Sequence, residues 1–218
     1  MWRREPIPAG LKVVQEFDSF VVVEKPGALL SVPGRGPEKA DCVVSRFLEL
    51  YPDAIPHPSI HRLDMETSGL MVIARTKEAH RAISIQFIDR VVKKRYVAVV
   101  DGIIKEQEGT IELAFRLDVE HRPWQMYDPV NGKVGVTQWK NLGIEGNTTR
   151  IEFNPITGRT HQLRLHASHE LGLGIPIIGD TLYGTGTDYF SLRLHATDLS
   201  FNNPESGEHL AFHSPEPF

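Results

Sequence analysis

The sequence predicts an α+β fold built on a mixed, mostly antiparallel sheet with flanking helices and loops. Three observations lead there. Strand-like and helix-like segments mix without a regular βαβ alternation, which argues against a doubly wound parallel sheet. Two reversal signals, Asp18-Ser19 and Asn131-Gly132, lie between strand-like runs and point to hairpins. The chain has 218 residues, 40% of them hydrophobic, with no convincing linker, so one domain with two lobes is expected.

The elements follow in order. Val13–Phe17 and Phe20–Glu24 are short β-branched runs around Asp18-Ser19, and Lys25-Pro-Gly stops the second. Pro33–Pro37 is a loop, and Asp41 is placed to cap a helix over Cys42–Leu50. Pro52, Pro56 and Pro58 keep the next stretch extended before an apolar strand at Gly69–Ala74. Thr76 is the expected cap of a helix reaching about Asp89, with Ala79, Ala82, Ile83, Gln86 and Phe87 near helical spacing. Lys94–Val100 alternates as a strand ended by Asp101-Gly102. Strands are expected at Gly109–Leu113, Lys133–Leu142 and Thr149–Phe153, then a helix over Thr160–Leu171 stopped by Gly172. Arg193–Ala196 and Leu199–Phe201 read as closing strands.

Composition narrows the function classes. One cysteine, Cys42, excludes an internal disulfide and any multi-thiolate metal site. No apolar run approaches the roughly 18 residues of a membrane span, and Met1–Pro6 does not read as a signal peptide. The expectation is a cytoplasmic protein with no membrane partner. The net charge is −4, yet residues 61–100 carry 8 Lys and Arg against 4 Asp and Glu. A basic patch on an acidic chain suits one local polyanion contact, or is a solvated helix face followed by a basic loop.

Three segments gather reactive side chains. In His61-Arg-Leu-Asp-Met-Glu-Thr-Ser-Gly69, Asp64 among Arg62, Thr67 and Ser68 could be held ionised as a nucleophile or base, or could satisfy turn amides. In Asn154–His166, a Pro-Gly loop opens a helix with Arg159, His161, Arg164 and His166 within two turns. That pattern suits an anion site or an ordinary basic helix face. In Lys93-Lys-Arg-Tyr-Val-Ala-Val-Val-Asp-Gly102, Tyr96 sits beside Lys93, Lys94 and Arg95, a minimal set for stacking on a base and contacting phosphate, or a simple core tyrosine. His57 and His61 are four apart, but no His-Glu-x-x-His occurs and proline lies between them, so no metal site is expected.

Together these segments resemble the RluA-type pseudouridine synthases. His-Arg-Leu-Asp-x-x-Thr-Ser-Gly matches at 61–69, Lys-x-Tyr-x-Ala-x-Val-x-Gly at 94–102, and Gly-Arg-x-His-Gln-Leu-Arg-x-His at 158–166. Asp18–Pro26, Leu29–Gly34, Ile178–Gly184 and Leu194–Ala196 agree as flanking pieces. Two positions depart from the family's habit. Lys25-Pro26-Gly27-Ala28 stands where Lys-Pro-x-Gly is common, and Gly174-Ile175-Pro176 where Gly-His-Pro is common.

The resemblance implies the pseudouridine synthase catalytic fold, two lobes around one cleft, over residues 17–218, after an N-terminal segment at 1–16. It implies isomerisation of a uridine within RNA, with no cofactor and no metal. Asp64 would be the essential carboxylate, at C1′ or the C2′ proton of the ribose. Arg164 would pair with Asp64, Tyr96 would stack on the base, and Leu163 would line the uracil pocket. Arg62 would fill the space the flipped base leaves. Lys93, Lys94, Arg95, Arg159 and His161 are the remaining expected RNA contacts. An S4-type RNA-binding domain is not expected, so Pro33–Pro37 and the Arg116–Val130 region are expected contact loops. The branch resembled most acts on a stem–loop in 23S rRNA and on the tRNA anticodon stem–loop. A monomer with an RNA partner is expected. A noncatalytic RNA-binding or ribosome-assembly factor and a metal-dependent hydrolase are the competing readings.

Overall fold

The computed structural model describes residues 10–218, which form two compact units: residues up to Lys94 with Ala196–Pro217, and Arg95–His195 with Phe218. The start read as lacking a leader, and the first nine residues of the expected 1–16 segment, lie outside the described residues.

The first unit opens with β1 (Lys12–Glu16) and β2 (Phe20–Lys25), paired antiparallel around the expected turn, where the Phe17 N–H donates to the Phe20 carbonyl. Helix α1 (Val43–Leu50) starts one residue later than the Asp41 reading requires. Cys42 caps it: its Sγ accepts from the Ser45 N–H, and the Ser45 hydroxyl accepts from the Cys42 N–H. Asp41 instead receives two N–H groups from Arg46, at 2.8 and 2.9 Å. Strand β3 (Ser68–Ala74) pairs antiparallel with β2. Gly69 there has φ 117°, and a Cβ at that position would strike the Ala196 backbone, so no other residue fits. Helix α2 (Lys77–Ile88) is capped by Thr76, as its sequence predicts, and buries Ala79 and Ile83.

The second unit takes up β4 (Lys93–Val100) from Arg95 onward, then β5 (Glu108–Leu117), β6 (Gln125–Tyr127), β7 (Lys133–Glu145) and β8 (Thr148–Pro155). Their order is β4-β8-β7-β5-β6, and the pairs β4–β8, β8–β7, β7–β5 and β5–β6 are antiparallel. The Asn131-Gly132 turn is real, but it does not join neighbours. It carries the chain from β6 on one side of β5 to β7 on the other. Helix α3 (Gln162–Ser168) is shorter than predicted. It begins after His161, held at φ 57°, and stops where His169 turns to ψ 141°. The two predicted closing strands are one, β9 (Leu194–Asn202); from Ala196 on it lies in the first unit and pairs antiparallel with β10 (His209–His213).

Each unit has its own core. Phe20, Val22, Leu70, Val72, Ile83, Leu199 and Phe201 pack together in the first. Ile111, Leu113, Phe115, Ile151, Phe153, Leu163 and Leu165 belong to the second. Val21 and Val23 are buried along with Phe20 and Val22, so β2 is covered on both faces.

Candidate active site

Asp64 lies half-buried on the loop that enters β3, and the last residue of β2 and one residue of the β2–α1 connection anchor its two neighbours. On one side the Ser31 hydroxyl donates to the Leu63 carbonyl at 2.6 Å and accepts the Leu63 N–H at 3.0 Å. On the other, Lys25, wholly buried, donates from Nζ to the Met65 carbonyl at 2.8 Å, and to the Pro26 and Leu29 carbonyls at 2.9 and 2.7 Å. Burial pushes Lys25 down to about 7, against the pull of the Asp64 and Glu66 carboxylates. Three acceptors for three N–H groups fit an ammonium; a neutral amine has only two to give. A positive charge is thereby fixed beneath the Asp64 loop. Neither Lys25 nor Ser31 is marked as functional by the sequence reading, although a lysine ending a buried Val-Val-Val run is itself a signal.

Arg62, two residues before Asp64, is exposed. His61 is structural: its Nε2 accepts the Val72 N–H at 3.0 Å, and its ring stacks on Phe87 at 4.8 Å. Burial, with the Lys94 cation nearby, pushes His61 down to about 3, so the ring is neutral. Lys94 is itself lowered by burial. Lys93 is exposed and donates to the Arg90 carbonyl at 3.1 Å.

In the second unit, Tyr96 is half-buried on β4, in register with Phe153 of β8, and packs on the core cluster. Arg95 gives its Nε–H to Glu152 at 2.6 Å. On α3, Leu163 is buried in the core and Arg164 is 2% exposed. Two N–H groups of the Arg164 guanidinium go to Asp180: Nε to Oδ2 at 2.8 Å and NH2 to Oδ1 at 2.6 Å. Asp180 also accepts the Leu182 and Tyr183 N–H groups. A buried, forked pair of this kind fixes the guanidinium plane. Arg164 and His166 of α3 are therefore buried, against the alternative of an ordinary solvated basic face. His161 is buried with Nδ1 3.0 Å from the Tyr183 hydroxyl. Arg159 is exposed and donates to the Val134 carbonyl at 2.8 Å. Gln162 ties the Gly158 loop down: its Oε1 accepts from the Thr157 hydroxyl and the Arg159 N–H, while its Nε2 donates to Val136 and Thr137.

The expected site residues thus fall into two groups, Arg62, Asp64, Lys93 and Lys94 in the first unit and Tyr96, Arg95, Arg159, His161, Leu163 and Arg164 in the second. Among the described residues, no group of three or more His, Cys, Asp and Glu side chains is placed to hold a metal ion.

Residues 19–169 match the family model described as RNA pseudouridylate synthase. A Pasteurella multocida protein named dual-specificity RNA pseudouridine synthase RluA is 42% identical over 217 residues, which cover 98% of this chain and 96% of the relative. The protein of that name from Escherichia coli K12 is 41% identical over 212 residues, covering 95% of this chain and 94% of the relative. Among solved structures, human RNA pseudouridylate synthase domain containing 1 superposes with a TM-score of 0.78 at 28% identity, over 99% of this chain and 87% of the other.

Proposed function

The chain belongs to the RNA pseudouridylate synthase family and is an enzyme that isomerises uridine in RNA, and from that premise we propose that Asp64 is the carboxylate on which the reaction depends. The observation that carries this is the double anchoring of its loop, Ser31 on Leu63 and Lys25 on Met65. A carboxylate acts on the ribose, by addition to C1′ or removal of the C2′ proton, only when ionised and aimed. The buried Lys25 side chain lies within electrostatic reach of Asp64, and the anchored flanks supply the aim.

The other roles are assigned residue by residue. Tyr96 stacks on the target base, and Leu163 supports the uracil with an apolar surface. Arg164, rigidly oriented by Asp180, presents a fixed guanidinium. Arg62 fills the stack the uridine leaves when it flips out; its exposure suits that task. Lys93, Lys94 and Arg159 contact phosphates. The Arg95–Glu152 pair and the His161–Tyr183 contact favour positioning work for Arg95 and His161 over direct contact with RNA. The substrate is a uridine in a structured stem–loop, in 23S rRNA, the tRNA anticodon arm or both, in line with the dual specificity named in the relatives. The enzyme works as a monomer in the cytoplasm without a cofactor.

Tritium release from C5-labelled uridine in RNA tests the reading. Asp64→Asn keeps the side chain's size and removes its charge, and is expected to lower turnover at least about a hundredfold. RNA affinity should hold, because phosphate contacts dominate it. Turnover near that of the wild type would remove Asp64 from the mechanism.

A further inference from the structure

The loop between β5 and β6 presents an aromatic side chain that none of these roles uses. Trp124 is 45% exposed, with Val119 exposed in the same loop. The backbone beneath it is tied down. The Asp118 N–H donates to the Trp124 carbonyl at 2.9 Å, the Trp124 N–H to the His121 carbonyl at 3.0 Å, and the Asp118 carboxylate accepts the Glu120 and His121 N–H groups. An indole on such a loop has little freedom left to lose on binding. Arg122, two residues earlier, is exposed and makes no hydrogen bond or ion pair with the described residues.

The other side of the indole leads to α3. Its ring rests against Tyr183, with centroids 6.1 Å apart. The Tyr183 hydroxyl accepts the Gln125 N–H at 2.8 Å and lies 3.0 Å from His161 Nδ1, at the start of α3. The Tyr183 ring also lies 5.7 Å from the Arg164 guanidinium carbon. One ring thus joins Trp124 to the helix that bears Leu163 and Arg164.

Resting on the assignment of the chain as an RNA pseudouridine synthase, we propose that Trp124 is a stacking platform for a second nucleobase of the substrate RNA, with Arg122 on the adjoining phosphate. A free aromatic face accepts any base that has left the helical stack. A guanidinium two residues away supplies the cation that fixes the backbone beside it. The platform selects RNAs by shape: a loop that splays out a base near the target uridine is accepted, and a continuous duplex is not.

The test uses an anticodon stem–loop RNA and tritium release. For Trp124→Ala, KM is expected to rise roughly tenfold to hundredfold, the loss of one base stack, with kcat changed by no more than about twofold. Trp124→Phe keeps a ring and should stay near wild type, and Arg122→Ala should weaken binding in a salt-dependent way. In the Asp64→Asn background, the RNA should quench indole fluorescence, and Trp124→Phe should abolish the quench although Trp2 and Trp139 remain. An unchanged KM together with an unchanged quench overturns the platform. So does a dimer, seen in sedimentation, that Trp124→Ala dissolves, since the face would then belong to a second copy. If the wild type released no tritium from any RNA, the enzyme assignment would fail by itself, and the fluorescence titration would still decide the fate of Trp124.

Discussion

At the scale of single residues, the carboxylate of Asp64 stands between two anchored neighbours, and the anchors differ in kind. Lys25 supplies charge as well as hydrogen bonds, so replacing it would leave three carbonyls without their donor and alter the field at Asp64 together. Ser31 separates the two effects. It is neutral and 4% exposed, and its hydroxyl serves both the N–H and the C=O of Leu63. Ser31→Ala strips partners from those two backbone groups, which costs about 1–3 kcal/mol of stability. The aim of Asp64 should suffer too. A misplacement on the order of 1 Å costs up to about a hundredfold in rate, so a fall in kcat of about tenfold is expected with KM unchanged. Thermal melts and steady-state tritium release on the same preparation check this. A fall in activity that merely tracks the lost folded fraction would reduce Ser31 to a stability role.

At the scale of elements, the β2–α1 connection gives one departure from the expected Lys-Pro-x-Gly pattern an energetic cost. Ala28 occupies the position where related chains commonly carry glycine, and it holds φ 62°. The left-handed region costs an L-residue with a Cβ about 1–2 kcal/mol, partly offset by the greater freedom glycine has when unfolded. Ala28→Gly is therefore expected to stabilise the protein by roughly 0.5–1 kcal/mol, measured as a shift in the denaturant midpoint at unchanged slope. An unchanged or lower midpoint would mean that the connection relaxes around the alanine without strain. The same element shows what sequence can carry. The hairpin of β1 and β2, the Thr76 cap and the strand at β3 are local patterns, and they read correctly. The ties that position Asp64 span 40 residues from Lys25 to Met65 and 32 from Ser31 to Leu63, and no local pattern encodes them. Asp180 is likewise 16 residues from Arg164. Strands β6 and β10 escape prediction because they are short and half exposed, and the Thr197-Asp198 interruption splits the reading of β9. Helix α3 is overextended for a similar reason: its side chains keep a helical rhythm past the backbone turn at His169.

At the scale of the molecule, each of the two units keeps an imidazole neutral. In the first, His61 accepts a backbone N–H through Nε2, and burial with the Lys94 cation pushes it down to about 3. In the second, His166 is fully buried against Phe115, neither ring nitrogen has a hydrogen-bond partner among the described residues, and burial pushes it down to about 4. An unfolded histidine takes up its proton near pH 6.5, while these folded ones refuse it until far lower pH. Between those values the unfolded state binds more protons, so stability falls as pH falls, and above about pH 6.5 neither group contributes a slope. Each imidazole adds up to about 1.4 kcal/mol per pH unit within its window. His166→Leu removes one titrating group and also the burial of two unpaired nitrogens, which an apolar side chain of similar size does not incur. The variant is expected to match or exceed the wild type at pH 8 and to gain on it steadily from pH 6 to pH 4.5, in chemical denaturation followed at each pH. Because His61 remains, acid sensitivity should be reduced and not abolished. Parallel profiles for the two proteins across that range would show that His166 takes up its proton as readily in the folded state as in the unfolded chain.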